Sequence, residues 1–370
     1  TKKFYLTFSP NALGAQSGNL TFLHDGETSP TNISVSGSGV TPGFALSTSL
    51  VSFGNVLLGS NKLDSVFVTN TGTSTLTVSQ VTSSSSQFTV TPSNNVSILQ
   101  GNTQKFSITF TPGSSGVKNA NIIFSHTADG SPDTVSVTGN AIAPIFQKSE
   151  STLSFGNIVV GQTVMDTVTI TNTGTAPLII SSVSSSSPSF TVSPNGVTLN
   201  PSESQDYYVT FTPSLPIVRT GNITFVHNAS GSPSTVSVNG TGIAPRFSMS
   251  SPSTYFDSAH QRISFDSLLI TETREDSVLV TNNGTSTLHI TSVISDNSEF
   301  TVLPFNRDIP AAGSYYFHIF FSPSPSSGGS KSGTIVFSHD ANGVLSSSTL
   351  SVQGFGLGRA ISFSTRSIFF

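Results

Sequence analysis

The chain of 370 residues contains no cysteine and no tryptophan. Disulfide bonds, a thiolate nucleophile and a cysteine-ligated metal are therefore excluded. The fold has to be held together by its apolar core alone. The sequence can supply such a core, because 35% of its residues are hydrophobic and 28 of them are phenylalanine.

Charge is also scarce. Asp, Glu, Lys and Arg make up 9% of the residues, whereas soluble domains average roughly 25%. With a net charge of −4, the chain has no basic stripe that could neutralise phosphates, so we expect no nucleic-acid partner. Ser, Thr, Asn and Gly take the place of charge, and a surface of hydroxyls and amides suits a spacer or a coat.

Long apolar runs and catalytic motifs are missing as well. No run approaches the roughly 18 residues of a membrane span, so we expect no membrane-spanning segment. The chain starts at Thr1 without an apolar leader, which predicts either a removed signal or a window cut from a longer protein. Nucleophile-elbow, P-loop, zinc-protease and paired-carboxylate patterns do not occur. We predict no enzyme, no catalytic residue, no metal site and no cofactor.

What the sequence does contain is an internal repeat, which is the first feature to look for in a long chain. An F-[TS]-P step, an F-x-H step and a closing glycine each occur four times, and T-N-x-G-T and S-F-[GD]-[NS] each occur three times, at spacings close to 100 residues. The F-[TS]-P steps begin at Phe8, Phe110, Phe211 and Phe321, and the F-x-H steps begin at Phe22, Phe124, Phe225 and Phe337. The closing glycines are Gly37, Gly139, Gly240 and Gly354. T-N-x-G-T begins at Thr69, Thr171 and Thr281, and S-F-[GD]-[NS] begins at Ser52, Ser154 and Ser264.

The landmarks divide the chain into five parts. Residues 1–42 correspond to the C-terminal half of a repeat. Three repeats follow, named here repeat one (43–143), repeat two (144–244) and repeat three (245–357). Repeat three carries an insert near 251–261, which predicts an irregular loop or an additional edge segment. Residues 358–370 resemble the first strand of a following repeat.

Within each repeat the apolar residues alternate with polar ones. Phe106, Ile108 and Phe110 share one parity, and the intervening serine and threonines share the other. This period of two is that of a half-buried antiparallel strand. About seven such runs per hundred residues, separated by turn signals and without a helical stretch, indicate a sandwich. The predicted fold class is all-β, with tandem immunoglobulin-like antiparallel β-sandwiches in an elongated array.

The combined landmarks resemble the Hydin-type (ASH) immunoglobulin-like repeat family. The shared pattern runs S-F-G-N-[VI]-x-x-G, then V-x-[VI]-T-N-T-G-T, F-x-V-x-P, F-T-P, I-x-F-x-H and V-x-V-x-G-x-[GA]. Repeats one and two fit it well; repeat three fits with its insert and with Asp266 in place of a glycine. The resemblance implies the sandwich fold, and in bacteria it implies tandem surface repeats of the choice-of-anchor D kind. It implies little about function, because related sandwiches also serve cilia and centrosomes.

The incomplete ends allow two interpretations. In one, the chain is a segment of a longer array. In the other, the C-terminal strand of one chain completes the open half-repeat of its neighbour, giving head-to-tail strand addition and an open filament. The joining strand would then present Ile361, Phe363, Ile368 and Phe370.

Two recurring polar residues are candidate sites. The F-x-H histidines occur once per repeat, too few to ligate a metal together, so we expect rim histidines that hydrogen-bond turn backbone. Asp64, Asp166 and Asp276 each lie at the start of the strand that leads to T-N-x-G, where a lone carboxylate usually accepts hydrogen bonds from backbone N–H groups.

The same aspartates belong to Asp-[Ser/Thr]-apolar triplets. These resemble the O-glycosylation pattern of Bacteroidetes-type exported proteins, with strand patterning as the alternative explanation. The candidate acceptors are Ser65, Thr134, Thr167 and Ser277. Asn-x-Ser/Thr sequons, among them those at Asn222, Asn228 and Asn283, are expected from composition alone.

Three functional hypotheses follow. The first is a non-catalytic extracellular structural protein of a bacterium: a stalk, filament or surface-layer component that associates with itself or with other surface proteins. The second is an adhesin or carbohydrate-binding module on a repeat stalk, with glycans bound at the aromatic insert. The third is a cytoplasmic scaffold of the ciliary type. The absence of cysteine and the low charge favour the exported cases.

Overall fold

The computed structural model describes residues 1–324 and 328–358. Nearly all regular structure in these residues is β-strand, and the exception is one 3-10 turn at Ala341–Gly343. The all-β prediction is therefore confirmed. The predicted joining strand, with Ile361, Phe363, Ile368 and Phe370, lies outside the described residues.

The chain forms two compact units. The first comprises residues 1–145 together with 172–178, and the second comprises residues 146–171 together with the described residues from 179 onward. Strands belonging to repeat one lie in the first unit, and those of repeat three lie in the second.

Residues 1–42 form a single antiparallel hairpin, β1 (Gly14–Phe22) and β2 (Thr31–Gly39). Its apolar face is open: Phe8 is 50% exposed, whereas the corresponding Phe110, Phe211 and Phe321 are fully buried. Phe8 therefore lacks the cover that buries its counterparts in the three repeats.

Repeat one folds into two facing sheets around a single core. The sheets have the orders β3-β5-β9-β7 and β4-β11-β10-β6-β8. Phe53, Phe88, Phe106, Phe110 and Phe124 fill the space between them. The strands are β3 (Ala45–Leu46), β4 (Leu50–Leu57), β5 (Lys62–Thr69), β6 (Leu76–Ser83), β7 (Phe88–Thr91), β8 (Asn94–Ile98), β9 (Thr103–Phe110), β10 (Gly116–His126) and β11 (Asp133–Ile142).

Repeat two has the same arrangement, with sheets ordered β12-β14-β18-β16 and β13-β20-β19-β15-β17. Its strands are β12 (Phe146–Lys148), β13 (Thr152–Val159), β14 (Val164–Asn172), β15 (Leu178–Ser185), β16 (Phe190–Ser193), β17 (Val197–Leu199), β18 (Ser204–Phe211), β19 (Val218–His227) and β20 (Ser234–Ile243).

Repeat three adds one strand to this plan. Its strands are β21 (Phe247–Ser250), β22 (Phe256–Asp257), β23 (Arg262–Leu269), β24 (Arg274–Asn282), β25 (Leu288–Ser295), β26 (Phe300–Leu303), β27 (Arg307–Ile309), β28 (Ser314–Phe321), β29 (Gly329–His339) and β30 (Ser346–Leu357). The insert supplies β22, which pairs with β23 at the edge of a six-stranded sheet. Of the two expectations for the insert, the additional edge segment is correct.

The first long strand of each repeat pairs in parallel with the last one, and a β-bulge interrupts this pairing. In repeat one the register shifts opposite the Ser52–Asn55 landmark, where Gly54 has a φ of 62°. Only glycine adopts this conformation at little cost. Repeat three keeps the shift between Ser264 and Ser267 with Asp266 inside it.

The F-[TS]-P phenylalanine and the closing glycine of each repeat are in contact. The ring of the F-[TS]-P phenylalanine lies against the closing glycine of the same repeat, and a Cβ on Gly139 would lie 2.4 Å from Phe110 Cε1. The same contact joins Gly240 to Phe211 and Gly354 to Phe321. The glycine is required because the ring occupies the place of a side chain.

Candidate functional site

The F-x-H histidines close one end of each sandwich. The ring of His126 stacks on Phe44 with centroids 4.0 Å apart and an interplanar angle of 3°. Its Nδ1 accepts the Ala128 N–H at 3.2 Å, and its backbone N–H donates to Ser131 Oγ at 2.9 Å. His227 stacks on Phe146 and His339 on Phe247 in the same way. These are rim histidines that organise a turn, as the sequence predicts.

The other ring nitrogen of each histidine meets a different partner. Nε2 lies 2.9 Å from Asp133 Oδ2 in repeat one, but 3.0 Å from a serine hydroxyl in the other two, at Ser234 and Ser348. Burial lowers the pKa of His227 and of His339 below the ordinary value of 6.5. Where the partner is a serine, the ring therefore resists protonation.

The strand-start aspartates also have a structural role. Asp64 Oδ1 accepts the Ser65 N–H at 2.7 Å, and Asp166 and Asp276 make the same contact with the residue that follows them. Asp276 additionally accepts the Ser253 hydroxyl at 2.7 Å, which ties the insert of repeat three to β24. All three carboxylates thus hydrogen-bond backbone in their own strand, and Asp276 also binds the insert.

The candidate glycosylation residues differ in accessibility. Ser65, Thr167 and Ser277 are half-buried within central strands, whereas Thr134 is exposed at the start of β11. Among the sequons, Asn222 and Asn283 are exposed, and Asn228 Oδ1 accepts the Ile179 N–H at 2.9 Å. Of the four O-linked candidates, Thr134 has the surroundings that best admit a modifying enzyme.

The aromatic residues of the insert are engaged within repeat three. Phe256 packs against the core, and the Tyr255 hydroxyl donates to Asp266 Oδ2 at 2.9 Å. Arg274 Nη1 lies 3.1 Å from the same carboxylate oxygen. The hydrogen bond to Asp266 and its charge raise the pKa of Tyr255. The insert therefore offers less free aromatic surface than its sequence indicates.

The second residue of T-N-x-G-T holds the segment that enters each repeat. Asn70 is fully buried. Its Nδ2 donates to the carbonyl oxygens of Ser74 and Ile98, each at 2.8 Å. Its Oδ1 accepts the N–H groups of Gly72 at 2.9 Å and Gly43 at 3.2 Å. All four hydrogen-bonding positions of the amide are thus used.

The same arrangement recurs at the other two repeats, and we call it the asparagine clamp. Asn172 Oδ1 accepts the Ile145 N–H at 3.3 Å, and Asn282 Oδ1 accepts the Arg246 N–H at 3.1 Å. The threonine that closes the motif adds a second contact, because Thr285 Oγ1 accepts the Ala244 N–H at 3.0 Å and Thr285 N–H donates to Ala244 O at 2.8 Å. The clamp was missed from the sequence, where T-N-x-G-T served only as a landmark.

Glycine in the motif is required by the close approach of the linker. A Cβ on Gly284 would lie 2.4 Å from Ala244 O and 2.5 Å from Arg246 N. The recurrence of Asn-x-Gly between apolar strands could have indicated a buried amide. Nothing in the sequence pairs this amide with the linker, which precedes it by 27 residues in repeats one and two and by 36 in repeat three.

Within residues 1–324 and 328–358, no group of three His, Asp or Glu side chains could hold a metal ion. Over the same residues, no helix is long and apolar enough to cross a membrane.

Comparison with protein families gives two matches. Residues 42–140 and 144–241 match the HYDIN/CFA65/VesB-like, Ig-like domain family. Residues 254–347 match the ASH family, described as Abnormal spindle-like microcephaly-associated, ASPM-SPD-2-Hydin. No curated protein matches the chain.

Similar solved structures come from different sources. A protein of unknown function from Porphyromonas gingivalis is 17% identical, with 54% of this chain and 99% of that chain covered and a TM-score of 0.25. PapD-like domain 7 of human CEP192 is 15% identical, with 27% and 87% covered and a TM-score of 0.25. The VesB protease of Vibrio cholerae is 18% identical, with 26% and 31% covered and a TM-score of 0.23. At these identities, no function passes from these proteins to the chain.

Proposed function

The chain belongs to the HYDIN/CFA65/VesB-like family of Ig-like domains, and from this we propose that it is a non-catalytic structural protein. Its sandwiches act as a spacer in an extracellular bacterial stalk, filament or surface layer. The observation that carries the proposal is the asparagine clamp, because it leaves the linker almost no freedom.

The junction between repeats two and three illustrates this. Strand β20 ends at Ile243, and the very next residue is already bonded at both its N–H and its carbonyl. Pro245 O accepts the Asn342 N–H at 2.8 Å. Residues 244 and 245 are buried. A linker whose backbone groups are satisfied within the fold cannot act as a flexible tether.

The turn at Ala341–Gly343 strengthens the same junction. A Cβ on Gly343 would lie 2.7 Å from Val160 O and 3.4 Å from Val159 Cγ1. Repeat three therefore touches repeat two directly. A structural spacer benefits from such contacts, since neighbour interfaces add to the stability of each repeat.

Single-molecule stretching of the full chain tests the mechanical part of the proposal. Each sandwich should unfold as a unit and release about 30 nm of chain, because an extended residue spans roughly 3.4 Å. Repeat three should release more than the other two because of its insert. Gradual extension without discrete steps would contradict independent sandwiches.

The extracellular location needs its own experiment. Intact source cells would be treated with a protease that cannot enter them, and the chain would be followed by immunoblot. We expect loss of the chain while a cytoplasmic marker survives. Survival of both would contradict the location without affecting the mechanical result.

A further inference from the structure

One side of the larger sheet in every repeat is formed by a long strand. β4, β13 and β23 have 8 residues each, and each pairs in parallel with the last strand of its repeat. The other strands that border a sheet in repeats one to three have two to five residues. A long border strand presents many backbone N–H and C=O groups to a strand of another molecule. We call β4, β13 and β23 the long edge strands.

Repeat three covers its long edge strand with the insert. β22 pairs antiparallel with β23, and the Ser264 N–H donates to the Tyr255 carbonyl oxygen at 2.9 Å. Phe256 packs against the core of the repeat. The new border strand has only 2 residues, and one of them is the charged Asp257. Repeat three thus shows that this side of the sheet accepts an antiparallel strand, and that β22 leaves little edge for a further one.

Repeats one and two place a lysine on this side instead. Among the described residues, β4 pairs only with β11, and β13 only with β20. In repeat one, Lys62 Nζ donates to the Phe53 carbonyl oxygen at 2.7 Å, within the bulge of β4. In repeat two, Lys148 Nζ donates to the Thr235 carbonyl oxygen of β20, ahead of Thr152, the first residue of β13 that pairs with that strand.

The two lysines carry unpaired charge to the long edge strands. Repeats one and two contain four lysines in total, and two of the four are Lys62 and Lys148. In the part of the chain that the structure describes, neither ammonium group belongs to an ion pair. A strand that paired here would bury such a charge without compensation, which is strongly unfavourable. Lysine at a sheet edge is a common means of preventing strand pairing.

The three arrangements differ, although each protects the same side of its sheet. Repeat one has Leu46 where repeat two has Lys148, two residues after the phenylalanine that stacks on the rim histidine. Repeat two has Val164 where repeat one has Lys62, opposite the F-[TS]-P phenylalanine. The fold therefore requires neither lysine, nor the insert. We propose that the long edge strands are self-association surfaces, held closed by Lys62, Lys148 and the insert.

The strand that these residues exclude is the same strand of a second copy of this chain. β22 shows that an added strand runs antiparallel to the long edge strand. Antiparallel pairing of a strand with its own copy generates a two-fold axis, the commonest symmetry of protein dimers. Pairing about such an axis brings each lysine into the same interface as its copy, and like charges repel. A lysine therefore opposes self-pairing more strongly than pairing with an acidic strand.

Analytical ultracentrifugation of the full chain tests the proposal. The combined variant carries Lys62→Val, Lys148→Leu and a replacement of residues 251–261 by Glu-Ser, the two residues that follow Ser149 in repeat two. Each change introduces what another repeat already has at that position, so the fold accommodates it. The parent chain should stay monomeric, and the combined variant should associate with a constant at least tenfold higher. Hydrogen exchange of the Ser52 and Ser154 N–H groups should slow in the associated form.

The double variant Lys105→Val, Lys118→Leu is the matched control, because it removes two lysines from the interior strands β9 and β10 and should stay monomeric. The proposal is overturned if the folded combined variant stays monomeric, if the control associates equally, or if the exchange of the edge N–H groups does not change. Association of the parent chain through these strands would also overturn it. If the combined variant does not fold, Lys62→Val with Lys148→Leu, which keeps the insert, must still associate more strongly than the parent.

Discussion

In each repeat, the side-chain amide of one buried asparagine holds the entering linker in place. Asn70, Asn172 and Asn282 are fully buried, and a buried amide is tolerated only when its hydrogen bonds are made. The three residues achieve this by binding the linker and the turn together. An asparagine side chain in this setting is a connector between segments that are distant in sequence.

Replacing Asn70 with alanine should be among the most destabilising changes in repeat one. The change removes all four hydrogen bonds of a buried amide. We expect a loss of about 3–5 kcal/mol in the free energy of unfolding. Urea unfolding of the full chain followed by hydrogen exchange would locate the loss in residues 43–143. Asn283→Ala, at the exposed residue that follows the clamp asparagine of repeat three, is a control that should cost little.

The rim histidines make stability depend on pH in repeats two and three. Burial lowers the pKa of His227 and His339 in the folded chain, whereas the unfolded chain protonates near 6.5. Below that value the unfolded state binds more protons, so the free energy of unfolding falls as the pH falls. The stability that the two neutral histidines contribute is fully present above about pH 6.5 and is lost as the pH falls below that value.

Thermal unfolding of the full chain between pH 8 and pH 5 would measure this dependence. The double variant His227→Gln, His339→Gln should show a shallower fall in melting temperature across that range than the parent. Equal slopes in the two proteins would mean that the histidines do not contribute.

At the scale of elements, the repeat depends on the contact between the last strand and the F-[TS]-P phenylalanine. A methyl group on Gly139 would meet the Phe110 ring at 2.4 Å, and overpacking of this kind costs about 1–3 kcal/mol. We expect Gly139→Ala to lower the melting temperature of repeat one. Gly113→Ala is the control, because nothing lies within 4 Å of its Cβ position.

Strands were predictable from the sequence because alternation of apolar residues reports directly on burial. Phe106, Ile108 and Phe110 are all buried as their parity indicates. The histidine rim followed from the same parity. The asparagine clamp did not, because its partners are linker backbone groups that carry no side-chain signal.

The use of the insert of repeat three was also not predictable. The aromatic insert attracted the hypothesis of a glycan site, but Tyr255 and Phe256 are used by the fold.

At the scale of the whole molecule, repeats two and three are joined by a linker whose backbone groups are hydrogen-bonded within the fold. The clamp belongs to the repeat that each linker enters, and the Ala341–Gly343 turn adds a direct contact at one junction.

The distribution of distances between labels on repeats two and three tests most directly whether their linker is rigid. Because the chain has no cysteine, Ser214→Cys and Ser347→Cys would carry the only two nitroxide labels for pulsed electron resonance on the full chain. We predict one narrow distribution, unchanged by Asn283→Ala and broadened by Asn282→Ala and by Gly343→Val. A broad distribution in the parent chain would contradict the claim that the clamped linker holds repeats two and three rigidly.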